Sequence, residues 1–158
     1  MPIYLKLPGV DGNVTHKKYE KWIEIGHVGF SAANNIASTG LGAANTFQQA
    51  KETYASPLEI RRSCDIATVQ IYEKIVKKVQ ALQKVDLTFI SGSDNEILKI
   101  ELSDVFITDQ ECSFQDGQAQ ERLSLTWYKI DMKYNSYGKD GKIVDTKSAS
   151  FSRGEVVA

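Results

Sequence analysis

Two cysteines and two histidines are all the thiol and imidazole chemistry that the 158 residues contain. Cys64 and Cys112 match no short-spaced zinc or redox pattern. Neither His16 nor His27 has a Cys or carboxylate partner at ligand spacing. A zinc site is therefore disfavoured. The cysteines read as reduced, partly buried thiols in preference to a disulfide. An excess of either charge is also missing. Nineteen Lys and Arg face twenty Asp and Glu, for a net charge of −1. Nothing sequence-wide draws such a chain to nucleic acid or to an anionic membrane. No apolar run has the length of a membrane-spanning helix. Met1 to Leu7 lacks the basic and then apolar pattern of a cleaved signal, so any export is expected to proceed without one.

Catalytic signatures are equally scarce. No serine stands in a nucleophile elbow, although the order of Ser, His and Asp alone leaves a triad open. The carboxylate pairs Asp94/Glu96 and Asp109/Glu111 are spaced i, i+2. That spacing points both acids to one side of a strand, whereas glycoside hydrolysis needs them across a cleft. Gly40-Leu41-Gly42-Ala43-Ala44 is only faintly like a dinucleotide loop. Its third small position is Asn45, and no βαβ unit surrounds it. Asn13-Val14-Thr15 fits the glycosylation pattern and reads as chance. No catalytic residue, cofactor or metal site is expected.

Charge is ordinary elsewhere, at 25% of residues, yet Ser31 to Ala50 runs twenty residues with none. Small residues, Asn and Gly fill this arm. Its sizeable apolar side chains are Ile36, Leu41 and Phe47. A long connection without structure of its own is uncommon in a compact domain and is usually functional or disordered. Disordered segments normally carry charge and Pro. An uncharged arm suits a surface contact with another protein.

The rest of the chain is strand-like apart from one segment. Ile3, Leu5 and Leu7 alternate with polar neighbours. Turn chemistry at Gly92-Ser93-Asp94-Asn95, Asp116-Gly117 and Gly138-Lys139-Asp140-Gly141 joins antiparallel strands over Val85–Ser91, Ile97–Ile107, Cys112–Phe114, Leu123–Tyr134 and Ile143–Phe151. Three runs change the face on which their apolar residues fall. Ile23 and Ile25 give way to Val28 and Phe30. Leu98, Ile100 and Leu102 give way to Val105 and Ile107 across Asp104. Leu123, Leu125 and Trp127 give way to Tyr128, Ile130, Met132 and Tyr134. Such a switch marks a bulge, or a strand passing from one apolar environment to another. It predicts a bent sheet closing into a barrel, or strands that serve a second interface, with Ile130 and Met132 at that subunit interface. Trp127, Tyr128 and Tyr134 could stack sugars or bases, but core and interface roles are favoured. His27 continues the Ile23/Ile25 side and reads as packed or interfacial.

Asp65 to Leu82 has helical spacing, with Asp65 as N-cap and Lys77 and Lys78 near the far end. Its expected buried face is Ile66, Val69, Tyr72 and Val76, widened by Ile71 and Ile75.

The opening Pro2-Ile3-Tyr4-Leu5-Lys6-Leu7-Pro8-Gly9-Val10-Asp11-Gly12, the Lys21-Trp22-Ile23-Glu24-Ile25 that follows, and the late strand Glu121–Ile130 running to Tyr134 resemble the haemolysin-coregulated protein (Hcp) family of type VI secretion. The resemblance covers nearly the whole chain as one tube domain, residues 1–158. One departure is that Ala67-Thr68 stands where family members often begin the helix with Ser-Pro. The fold class so implied is mainly β: a bent antiparallel β-barrel or two-sheet sandwich with one flanking α-helix and a long extended loop.

The resemblance implies a non-enzymatic structural subunit. Six copies form a ring, and rings stack into a tube inside a contractile sheath. The tube engages tip and baseplate proteins, carries effectors and is secreted from the bacterial cytoplasm. It implies no cofactor, no nucleic acid and no membrane insertion. Ile36, Leu41 and Phe47 would then form the ring-stacking loop. The alternative is a monomeric β-barrel module that binds carbohydrate or nucleic acid.

Overall fold

The computed structural model describes residues 1–35, 52–77 and 80–154. Ten strands and one helix follow in chain order. They are β1 Ile3–Lys6, β2 Ile23–Ile25, β3 His27–Gly29, β4 Ala32–Asn35, β5 Glu52–Ala55, β6 Leu58–Ser63, α1 Ile66–Lys77, β7 Leu82–Ile90, β8 Glu96–Gln115, β9 Gln118–Tyr137 and β10 Ile143–Ser152. The main sheet runs β2-β1-β7-β8-β9-β6-β3, and every pairing is antiparallel.

Closure follows from one glycine. β2 and β3 are the two ends of that sheet, yet they are neighbours in the chain, separated by Gly26 alone. The Gly26 N–H donates to the Arg61 carbonyl at 3.0 Å. A Cβ there would stand 3.3 Å from that oxygen, tighter than most side chains tolerate. The first change of face in the sequence is therefore a corner between two strands. Gly12 makes a second close approach, since a Cβ would fall 2.2 Å from the Trp22 carbonyl oxygen. That contact clamps the loop between β1 and β2.

The other two changes of face lie opposite each other. On β8, Leu102 and Val105 are buried with Ser103 and Asp104 between them. On β9, Trp127 and Ile130 are buried with Tyr128 and Lys129 between them. The register pairs Leu102 with Ile130, Ser103 with Lys129 and Val105 with Trp127. Both strands thus shift parity at the same level, and Asp104 takes the left-handed conformation at φ 51°. Asp tolerates that region better than most residues because its short side chain can hydrogen-bond locally. A register shift between Ile107 and Asp109 adds a bulge just beyond.

The paired strands bend around a single core. Of the two outcomes the parity pattern allowed, a nearly closed barrel is present. Ile130 is 5% exposed and packs in this chain's own core. Met132 is half-buried against the same core, opposite Ile100 and Ala149.

The core joins Leu5, Ile23, Leu58, Ile60, Leu87, Ile100, Leu102, Leu123 and Leu125, all fully buried. Each contributes roughly 1.5–3 kcal/mol by leaving water. Cys112–Phe114 is the continuation of β8 and not a separate strand.

The helix is shorter than expected and presents a different face. Its described span is Ile66–Lys77, and Leu82, the expected last residue, opens β7. Asp65 does cap it, with Oδ1 accepting from the Ala67 N–H at 2.7 Å. The buried side chains are Ala67 and Ile71, followed by half-buried Ile75. These form an i, i+4 row whose small first residue lets the helix approach the barrel.

Candidate assembly surfaces

The expected inner face of α1 is its outer face. Ile66, Val69, Tyr72 and Val76 are between 56 and 72% exposed. Four large apolar side chains in one stripe are more than scattered surface residues. Beside them, an open groove of about 700 Å³ runs between α1 and β8, lined by Gln70, Lys74, Ile75, Leu82, Phe106 and Ile107. At its rim, Lys77 donates to Glu73 at 2.8 Å. This hydrogen bond raises the Lys77 pKa and lowers that of Glu73. The groove thus has an apolar floor and a charged edge.

A second surface is the free edge of β10. This strand pairs only with β9 among the described residues, through Ile143–Ser152 and Lys129–Tyr137. Ile143 and Val144 are exposed. An unpaired strand edge is a template for another chain unless it is covered. Arg153 anchors the far end of β10. Its Nε donates to the Trp127 carbonyl at 2.6 Å and its NH2 to the Ala55 carbonyl at 2.9 Å. Its guanidinium lies 4.2 Å from the centre of the Trp127 ring.

A third is the base of the uncharged arm. β4 and β5 pair in register from Ala32/Ala55 to Asn35/Glu52, as a two-stranded ribbon separate from the barrel. The arm therefore begins in regular structure, which the sequence did not predict. Ser31 and Ser56 close the base of the ribbon: the Ser31 N–H donates to Ser56 Oγ at 2.7 Å, and the Ser56 N–H to the Ser31 carbonyl at 2.9 Å. An isolated two-stranded ribbon is marginal in water. Ile36, Leu41 and Phe47, the expected stacking residues, and the faint Gly40–Ala44 loop lie outside the described residues.

The outward face of β7, β8 and β9 is charged in rows. The register aligns Asp86, Glu101 and Asp131 across three strands and Thr88, Lys99 and Lys133 beside them. Like charges directly opposite are destabilising, and lysines in the neighbouring rows compensate. Lys99 reaches Glu101 at 3.0 Å and Lys84 reaches it at 3.4 Å. The hydrogen bond from Lys99 lowers the Glu101 pKa below its ordinary value, and the same bond raises that of Lys99.

Inside the barrel, Arg62 and Glu121 are each 2% exposed. They meet at 2.5 Å, and the other side of the guanidinium binds Asp65. Gln110 donates to Glu121 at 2.6 Å. Sequence reading missed this cluster, although a signal was present. Arg62 shares the parity of Leu58 and Ile60, and Glu121 that of Leu123 and Leu125. Opposite charges at inward positions of paired strands predict a buried pair.

The remaining sequence candidates do not converge. Asp109 and Glu111 both bind Arg122, at 3.3 and 2.8 Å. Asp94 meets His16 at 3.3 Å, while Glu96 accepts from Thr88 at 3.0 Å. His27 is exposed in this chain, not packed. Trp127 is a core residue, edge-on to Phe151, whereas Tyr128 and Tyr134 are exposed. No group of three or more Cys, His, Asp and Glu suited to a metal occurs among the described residues. No helix among them is long and apolar enough to cross a membrane.

A nearly closed antiparallel barrel with one flanking helix, a separate two-stranded ribbon and exposed apolar and strand-edge surfaces defines the architecture of the described residues. The family model described as "Type VI secretion system effector, Hcp" matches residues 4–134. The chain belongs to the Hcp family, whose members are structural, secreted tube proteins of type VI secretion and form hexamers. Solved structures with the same fold include a type six secretion system protein at 21% identity and TM-score 0.82, covering 96% of this chain and 95% of the other. Hcp1 from Salmonella typhimurium follows at 18% and 0.73, covering 96% and 93%. A type VI secretion system effector from Yersinia pestis matches at 14% and 0.75, covering 95% and 98%. No curated protein matches the chain.

Proposed function

We propose that this chain, as one tube domain over residues 1–158, is the structural subunit of the type VI inner tube. Six copies close into a ring, rings stack into a tube within the contractile sheath, and the tube meets tip and baseplate proteins. It carries effector proteins and is secreted from the cytoplasm. The observation that carries this reading is the pair of unlike uncovered surfaces on one barrel: the α1 stripe and the free edge of β10. A contact between unlike surfaces is head-to-tail, and it closes into a ring when its rotation allows. Met132, half-buried behind β10, is assigned to the seam between subunits. Ile36, Leu41 and Phe47 are assigned to stacking of one ring on the next. The charged face of β7 to β9 suits the wall of a water-filled lumen, where apolar surface would be a liability.

Light scattering of the purified protein tests the assembly. A mass six times that of one chain is expected, held on dilution to micromolar concentration. A monomer unchanged on concentrating would overturn the ring and favour the binding-module alternative.

A further inference from the structure

Arg153 stands directly after β10 and joins three elements. Its backbone N–H donates to the Tyr128 carbonyl at 2.9 Å, which carries the β10–β9 ladder past its last strand pair, Ser152 with Lys129. From that fixed point the side chain turns back over β9. Nε donates to the Trp127 carbonyl at 2.6 Å, and the guanidinium covers the Trp127 ring, 4.2 Å from its centre. Nη2 reaches further and donates to the Ala55 carbonyl at 2.9 Å. Ala55 ends β5 and pairs with Ala32 at the base of the ribbon. The next residue, Gly154, passes so close to Tyr128 that a Cβ there would fall 2.0 Å from its hydroxyl. Any side chain at that position would have to push Tyr128 aside.

Little else bonds the ribbon to the barrel. β4 and β5 pair with each other and with no strand of the main sheet. Ser31 and Ser56 bond each other across the same base. Among the described residues, the Arg153 bond to Ala55 is the hydrogen bond that ties β4 or β5 to another element. Two strands alone are marginal in water, so this tie bears on whether the ribbon stays formed. Arginine suits the task. Its planar guanidinium holds donors in a fixed fork and stacks on an aromatic face, whereas a lysine ammonium is a point charge on a flexible stem.

We propose that Arg153 is a positioning residue for assembly, whose fork couples the free-edge strand β10 to the ribbon of β4 and β5. Two of the three candidate assembly surfaces are thereby linked through one side chain. The ordering of the ribbon stands on this geometry alone, and only its consequence for ring stacking rests on the tube reading above. A partner strand paired along the free edge of β10 restrains Ser152 and Arg153, and through them the ribbon. Closing the ring then prepares the ribbon for the next ring.

Hydrogen exchange of the full-length protein, read by mass spectrometry, tests the coupling. In Arg153→Ala the amides of residues 32–35 and 52–55 should exchange about tenfold faster than in wild type. The amides of β7 and β8 should keep their protection, and the barrel should melt within about 5 degrees of wild type. Arg153→Lys should lose the same protection, since it keeps the charge without the fork. Ribbon amides as protected in either variant as in wild type would overturn the proposal. Wild type gives a second test that needs no substitution. With rising urea, residues 52–55 and the end of β10 should lose protection together, and a ribbon that opens while Phe151 to Arg153 stay protected would also overturn it. Electron micrographs of Arg153→Ala should show rings without tubes, and normal tubes would sever the link to stacking. Monomeric wild-type protein whose ribbon still depends on Arg153 would remove the tube reading and leave the coupling standing.

Discussion

Arg62 and Glu121 occupy inward positions that the rest of the barrel fills with Leu, Ile and Trp. A buried pair is weak evidence for stability, because desolvation opposes the attraction. Breaking one is a different matter, since the remaining charge is left buried and alone. Glu121→Ala should lower unfolding free energy by about 3–5 kcal/mol in urea melts. It would also free Gln110 and leave Arg62 with Asp65 as its remaining carboxylate. Replacing both partners, Arg62→Met with Glu121→Leu, should cost less than the single change. A double variant as unstable as Glu121→Ala would mean that the cluster holds the corner in some way beyond charge. Residue chemistry of this kind was legible in parity alone. Asp104 was legible as the site of a switch, but not as a left-handed residue, because nothing local separates that conformation from a turn or a loop.

The elements show where sequence periodicity succeeds and where it fails. Strand patterns located the barrel strands closely, because a period of two leaves a half-buried strand few alternatives. The helix was found, but its face was misassigned. An apolar stripe at helical spacing reads as core, and Ala67 is too small to stand out as an anchor. The true contact runs through Ala67, Ile71 and Ile75. The large side chains remain outside, which the sequence of one subunit cannot distinguish from burial. Two substitutions separate the faces. Ile71→Ala should destabilise the subunit by about 2–5 kcal/mol. Val76→Asp should leave thermal unfolding of the isolated subunit within about 0.5 kcal/mol of wild type, yet lower the mass seen by light scattering. A Val76→Asp variant that unfolds would restore the inward face.

At the scale of the whole molecule, closure of the barrel depends on pairing β6 with β9 and β1 with β7, contacts distant in sequence. Local patterns do not specify such partners, so the bent sheet was readable while its strand order was not. The arm belongs to this scale, because its expected partner is another ring. The ribbon of β4 and β5 shows where it departs from the barrel, and Arg153 ties Ala55 at its base to Trp127. The test should therefore keep that base and replace only residues 36–51 with a short Gly/Ser linker. Loop closure changes by only about 0.6 kcal/mol per doubling of length, so the barrel should keep its melting temperature and the ring its mass. The arm has few large apolar residues, and contact energy in such an interface concentrates in its anchors. Tubes should then fail to form in electron micrographs, and export should fail with them. The triple change of Ile36, Leu41 and Phe47 to Ser should reproduce that loss without shortening the chain. Loss of the ring itself would move the arm to the seam between subunits. Unimpaired tubes from both variants would leave the uncharged arm as an insertion without a stacking role.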